Sequence, residues 1–121
     1  MGIDVDVIDN SEAFKAAMRA GVEAAITAIA ERAERNVKAI TPVGTPESTG
    51  KPGYIGGTLR NSISGEPQGD TAYIGTNVEY AAYVELGTYK MAAQPYLRPG
   101  VTDHMDEYRQ IAINEIKANL P

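Results

Sequence analysis

Residues 11 to 40, SEAFKAAMRAGVEAAITAIAERAERNVKAI, constrain the fold more than any other stretch of the chain. Phe14, Met18, Val22, Ala25, Ile26, Ile29, Ala33, Val37 and Ile40 recur at three- and four-residue steps and form one apolar stripe, which predicts an amphipathic helix. The opposite face carries Glu31 with Arg35 and Glu34 with Lys38, acid first at i,i+4, the stabilising orientation. Asp9, Asn10 and Ser11 offer N-cap oxygens, Glu12 sits where the helix dipole favours an acid, and Pro42 ends the run. A helix of nearly 30 residues is about 45 Å long. The whole chain has 121 residues, enough for one domain with a two-layer core. The helix outruns such a core, so part of its stripe or one end is expected to meet another subunit.

The remaining elements are shorter. Residues 3 to 8, IDVDVI, alternate Ile3, Val5 and Val7 with acids, the period of a half-buried strand. Residues 41 to 57 are rich in Gly and Pro and read as a mobile loop. TLRNSIS at 58 to 64 and TAYIGT at 71 to 76 predict two strands around EPQGD, with Gly69 and Asp70 at the hairpin tip. VEYAAYVEL at 78 to 86 suits a short helix near 79 to 86 or, by its Tyr and Val content, a strand. Residues 91 to 97 could supply a last strand, giving a sheet within 58 to 98. From 99 to 120 a second helix is expected, with Val101, Met105, Tyr108, Ile111, Ala112, Ile116 and Leu120 as its stripe, Pro99 in its first turn, and Thr102 or Asp103 as cap. The fold class is α+β, with a long N-terminal and a C-terminal helix packed on one face of a small antiparallel sheet.

Composition removes several function classes. The net charge of −5 and pI near 4.8 argue against a protein that grips DNA phosphates or reads their sequence. The absence of Cys excludes disulfides and thiolate metal sites. No apolar run reaches the roughly 18 residues of a membrane span. The first residues, MGIDVDVIDN, carry acids where a signal peptide carries positive charge, so assembly in a cytosol is expected.

Catalytic chemistry finds little to draw on. GTPESTGKPG at 44 to 53 resembles a phosphate-binding loop but fails the pattern. Five residues separate Gly44 from Gly50 where the motif has four, Pro52 follows Lys51 where a hydroxyl is needed, a helix leads in, and glycines follow. His104, the one histidine, lies beside Asp103 and Asp106, the ordinary content of a solvated first helical turn. Glu79 and Glu85 have no neighbours that predict a raised pKa. The seven tyrosines, all between residues 54 and 108, lack interleaved Arg and Lys, so subunit contacts suit them better than base stacking. No catalytic residue, cofactor site or metal site is expected.

Four stretches nevertheless occur in a telling order: TPV at 41 to 43, GTLRNSI at 57 to 63, YAAYVELGT at 80 to 88 and QPYLRPGV at 94 to 101. Together they resemble the lambdoid-type tail-component and head–tail joining proteins (neck, tail-completion) of long-tailed bacteriophages. The likeness covers about residues 37 to 101. In most relatives T-P-V runs almost directly into the T-G-x-L-R stretch, whereas here about a dozen extra residues, TPESTGKPGYIG, intervene.

The resemblance implies a tail-terminator-like fold and a virion structural protein, not an enzyme. It implies a homo-oligomeric, six-fold symmetric ring in the neck or upper tail that joins head to tail, lets DNA pass, and contacts head-closure or connector proteins and tail-tube or tail-terminator proteins. The alternative within the class is a tail terminator proper; from another class, a small cytosolic binding or regulatory module. The matching positions, expected to be structural or interfacial, are Leu59, Arg60, Ser62, Tyr80, Glu85, Gly87, Thr88, Pro95, Tyr96, Leu97, Arg98 and Pro99. Gly87 suits a φ > 0 stop and Thr88 can bond the freed backbone. Glu85 is expected to pair with Arg98 or Arg60, Pro95 and Pro99 hold the segment between them extended, and Leu97 faces the core. In the extra loop Thr45, Pro46, Lys51 and Tyr54 are candidate docking residues.

Overall fold

The computed structural model describes residues 11–43, 57–89 and 92–120. The expected strand at 3 to 8 and the docking loop residues Thr45, Pro46, Lys51 and Tyr54 lie outside them. The elements in order are α1 (Ser11–Ile40), α2 (Thr58–Ser62), β1 (Ser64–Gln68), β2 (Thr71–Gly75), α3 (Ala81–Leu86), α4 (Leu97–Thr102) and α5 (Met105–Asn119). Among the described residues the sheet is one antiparallel pair, β1 with β2, laid on α1. The fold is therefore α+β, with a long N-terminal helix, a C-terminal helix and a small sheet.

α1 is the spine on which the other elements pack. Its buried face is made of small residues, Gly21, Ala25, Ala30 and Ala33, together with Asn36 and Val37. The large members of the expected stripe sit beside that seam: Met18, Val22, Ile26 and Ile29 are half-buried, and Phe14 and Ile40 are 50% and 44% exposed. Small side chains win the centre because partners approach the helix axis closely. A Cβ on Gly21 would stand 2.9 Å from the Cα of Ile116 in α5, and one on Gly65 of β1 would collide with the Ala30 carbonyl oxygen. A Cβ on Gly100 of α4 would come within 2.7 Å of Val37 Cγ2. Three partner elements thus sit at near-backbone distance on one helix.

The core gathers at the C-terminal end of α1, where Val37, Leu59, Ile63 and Tyr96 are buried together. Ile74, Val78, Ala81, Val84, Leu97 and Val101 pack around them.

Several predicted boundaries change. Residues 58–62 form a helical turn instead of a strand. Leu59 and Ile63 are four residues apart, a spacing that one helix face satisfies as well as a strand does, and both are buried. The strand begins at Ser64 and uses Glu66, Pro67 and Gln68, residues expected in the loop; Gln68 pairs with Thr71 across the Gly69–Asp70 tip, where Gly69 has φ 62°. The 78 to 86 segment resolves as helix from Ala81 to Leu86. No strand forms at the described residues 92–96, because their donors turn to α3: Gln94 N–H donates to the Val84 carbonyl (2.8 Å) and Tyr96 N–H to Glu85. The expected single helix from 99 is two, broken at Asp103 and His104, and neither helix has a side-chain cap of the predicted kind from Thr102 or Asp103. Met105, expected inside, is 43% exposed.

Candidate functional site

The ordered motifs converge on one face. α2, α3 and α4 close over the Val37 end of α1, and Glu85 ties two of them together. Its carboxylate accepts the backbone N–H groups of Tyr96 (2.8 Å), Leu97 (3.0 Å) and Arg98 (3.0 Å). These are orphan donors at the start of α4, which its own residues cannot satisfy. Glu85 is thus a helix N-cap supplied from another helix, and the positive end of α4 favours its charge. Partial desolvation pushes the carboxyl upward, but the three N–H bonds and the Arg98 charge outweigh it and hold the pKa below the ordinary glutamate value. The expected side-chain ion pair takes another form: the partners of Glu85 are backbone groups, and Arg60 and Arg98 project into solvent.

Tyr96 is the other half of the clasp. Only 1% of it is exposed, and its hydroxyl donates to the Ala81 carbonyl at the start of α3 (3.1 Å). Burial, then the negative charge of Glu85 and the nearby Tyr80, raise its pKa. Glu85 and Tyr96 therefore bind α3 and the entry to α4 in both directions. Gly87 closes α3 at φ 80° and ψ 172°, a conformation that L side chains rarely adopt, and its N–H donates to the Tyr83 carbonyl (2.8 Å). Ser62 bonds the Leu59 carbonyl and the Thr76 hydroxyl, joining α2 to the end of β2. Leu97 packs half-buried on the core, Pro99 is half-buried in α4, and Pro95 and Thr88 lie on the surface. The segment expected to run extended between the two prolines instead turns helical at Leu97, because Pro99 falls in the first turn of α4, where a missing N–H costs nothing.

The outer side of this clasp is apolar. Tyr80 is 43% exposed, Tyr83 60%, Leu86 78% and Tyr89 93%. An open groove of about 650 Å³ runs beside them, walled by Leu86, Ala93, Pro95, Leu97 and Val101, with Glu85, Arg98 and Thr102 at its polar edge.

A second polar cluster locks α5 to α1. The Asn36 amide, buried on the seam, donates to Tyr108 Oη (3.1 Å) and to Glu107 Oε1 (3.4 Å), and Tyr108 Oη donates to the Gly100 carbonyl (3.0 Å). Arg32 donates to the same Glu107 oxygen, and His104 Nδ1 lies 3.5 Å from its other one. The Arg32 bond foremost, with Asn36 and the charges of Arg32 and His104, lowers the Glu107 pKa against the opposing pull of desolvation. Sequence reasoning singled out Asp103, His104 and Asp106 here and missed Arg32, Asn36 and Glu107. The signal available was Asn36, a polar residue on an otherwise apolar stripe. Of the charge pairs expected on α1, Glu34 and Lys38 meet at 3.8 Å.

Among the described residues no helix is long and apolar enough to cross a membrane. The arrangement offers shaped apolar surface held rigid by internal caps. No curated protein and no solved structure matches the chain. A family model does match, over residues 6–87, and its description is "Bacteriophage HK97-gp10, putative tail-component". Spanning about two-thirds of the sequence and including three of the four ordered motifs at least in part, that match places the chain in the HK97-gp10-like family of bacteriophage tail components.

Proposed function

We propose that the protein is a ring-forming structural subunit at the head–tail junction, acting in the neck or in tail completion, which joins head to tail and leaves a passage for DNA. The observation that carries this reading is the mismatch between core and surface. The core at the end of α1 is small, while Phe14 at one end of the helix and Tyr83, Leu86 and Tyr89 at the other stay 50% to 93% exposed. A tail component with apolar surface at both ends has what repeated subunit contacts need. The work is complementarity of surfaces, with no bond made or broken. A net charge of −5 suits a lumen through which DNA slides without sticking, because negative walls do not hold phosphates. Head-closure or connector proteins on one side and tail-tube or terminator proteins on the other are the partners this role requires.

The test is complementation. Particles produced without the protein should accumulate separate filled heads and finished tails, and adding the purified chain should join them. Tails of uncontrolled length in its absence would point instead to a terminator, and normal infectious particles would remove the junction role.

A further inference from the structure

We infer that the outer face of α3 is the surface that receives a second copy of this chain, and that it seats on the N-terminal third of α1 of that copy. The inference rests on the ring reading above and adds which two faces meet.

The α3 face is built to be presented. The helix has only six residues, yet it is fastened underneath by the Tyr96 hydroxyl on Ala81, the Gln94 N–H on Val84 and the Glu85 bonds to α4. Such anchoring fixes Tyr80, Tyr83 and Leu86 in place on the outside, so little ordering entropy remains to be lost on contact. Taking about 200 Å² per side chain, these three with Tyr89 offer roughly 500 Å². That is near the top of what a monomer leaves in one apolar patch, and well over half of the about 800 Å² that a stable interface takes from each partner. The groove along Leu86, Pro95 and Leu97 extends the same face.

The second face lies at the other end of α1. Residues 11–16 are all exposed, Phe14 to 50%, and Met18 and Val22 are half-buried beside a cleft of about 280 Å³ that reaches Gly69 and Asp70 at the hairpin tip. Arg19 stands on the rim of that cleft beside Glu23 and Asp70, so the seating there is carried by the apolar side chains of Phe14, Met18 and Val22 and not by charge. Phe14 is about 35 Å along the helix from Val37, over which α3 packs. Two different patches so far apart produce head-to-tail repetition, which gives a ring when the rotation between successive copies closes; one self-matching patch would stop at a pair.

The chain has no cysteine, which makes the test clean. Single-cysteine variants Leu86→Cys and Phe14→Cys are purified separately, mixed, and treated with a short bismaleimide. Crosslinked dimer should form in the mixture and be several-fold weaker in either variant alone, and the double variant should give a ladder ending at the closed ring. A dominant Leu86→Cys self-crosslink would overturn the seating in favour of a two-fold pair. Rings that form without the mixed crosslink would overturn the seating while sparing the ring reading. Slow maleimide modification of Leu86→Cys in the monomer would mean the chain's own residues cover the patch, which also overturns it. A monomer at every concentration, with or without connector and tail-tube proteins, would remove the ring reading and this inference with it. Leu86→Glu should dissolve the oligomer and leave the monomer's urea midpoint unchanged.

Discussion

Replacing Glu85 by alanine should cost far more than the loss of a surface carboxylate. The side chain carries three backbone N–H groups at 2.8 to 3.0 Å, and one of them belongs to Tyr96, a residue 1% exposed. Loss of an N-cap costs about 0.5–2 kcal/mol, and a buried donor left without an acceptor about 1–3 kcal/mol. Glu85 is only half-buried and water can reach part of the vacated space, so the lower half of the combined range applies, about 2–3 kcal/mol. For a domain of this size that lowers Tm by roughly 10 °C. Glu85→Gln keeps one acceptor oxygen and should lose about half as much.

The pH dependence separates this account from a simple packing effect. The folded-state pKa of Glu85 lies below its unfolded value, so in the window between the two the unfolded chain binds more protons and stability rises with pH. The contribution is fully present above the unfolded value, about 4.3, and is lost as pH falls through the folded one. Urea titrations of wild type and Glu85→Gln from pH 7 down to pH 3 should show a gap that is constant at the upper end and narrows below about pH 4. A Glu85→Ala cost under about 0.5 kcal/mol, the size of an ordinary surface substitution, would refute the capping role, as would a gap that does not change with pH.

Further outcomes follow from the close contacts. Gly65→Ala and Gly100→Ala should each cost about 3 kcal/mol or fail to fold, because the new Cβ meets the Ala30 carbonyl or the Val37 backbone; Gly75→Ala, with open space around it, is the control and should shift Tm by no more than a few degrees. Gly87→Ala should cost about 1–3 kcal/mol through its φ of 80° alone, read as a lower urea midpoint with an unchanged m-value. Tyr108→Phe takes the nearer of two acceptors from the Asn36 amide and the donor from the Gly100 carbonyl, a loss of about 1–2 kcal/mol that should show equally in thermal and urea unfolding.

Legibility in the sequence followed the length over which a pattern repeats. α1 was readable to its ends because its stripe repeats over eight turns and Ser11 and Pro42 punctuate it. The hairpin tip was readable because Gly69 followed by Asp70 is turn chemistry. The Leu59–Ile63 segment was misread because two residues four apart satisfy both the helical and the strand period, and tertiary burial decided between them. The small-residue seam was read as part of a larger stripe; periodicity reports which face is apolar and says nothing of how near the partner backbone comes. Glu85 could be singled out as a charge inside apolar motifs, yet its partners are N–H groups, and a backbone donor leaves no mark in a sequence. Gly87 was legible for the opposite reason, since only its own backbone had to be guessed.

The central claim is a closed ring of this chain where head meets tail. Cryo-electron microscopy of whole particles, with this protein tagged at its C-terminus and gold-labelled, tests it most directly. The account predicts label confined to the junction, and there a closed ring whose successive copies meet through α3 and the N-terminal third of α1. Label along the tail shaft or at the distal tip, or a junction ring made wholly of other proteins, would contradict it.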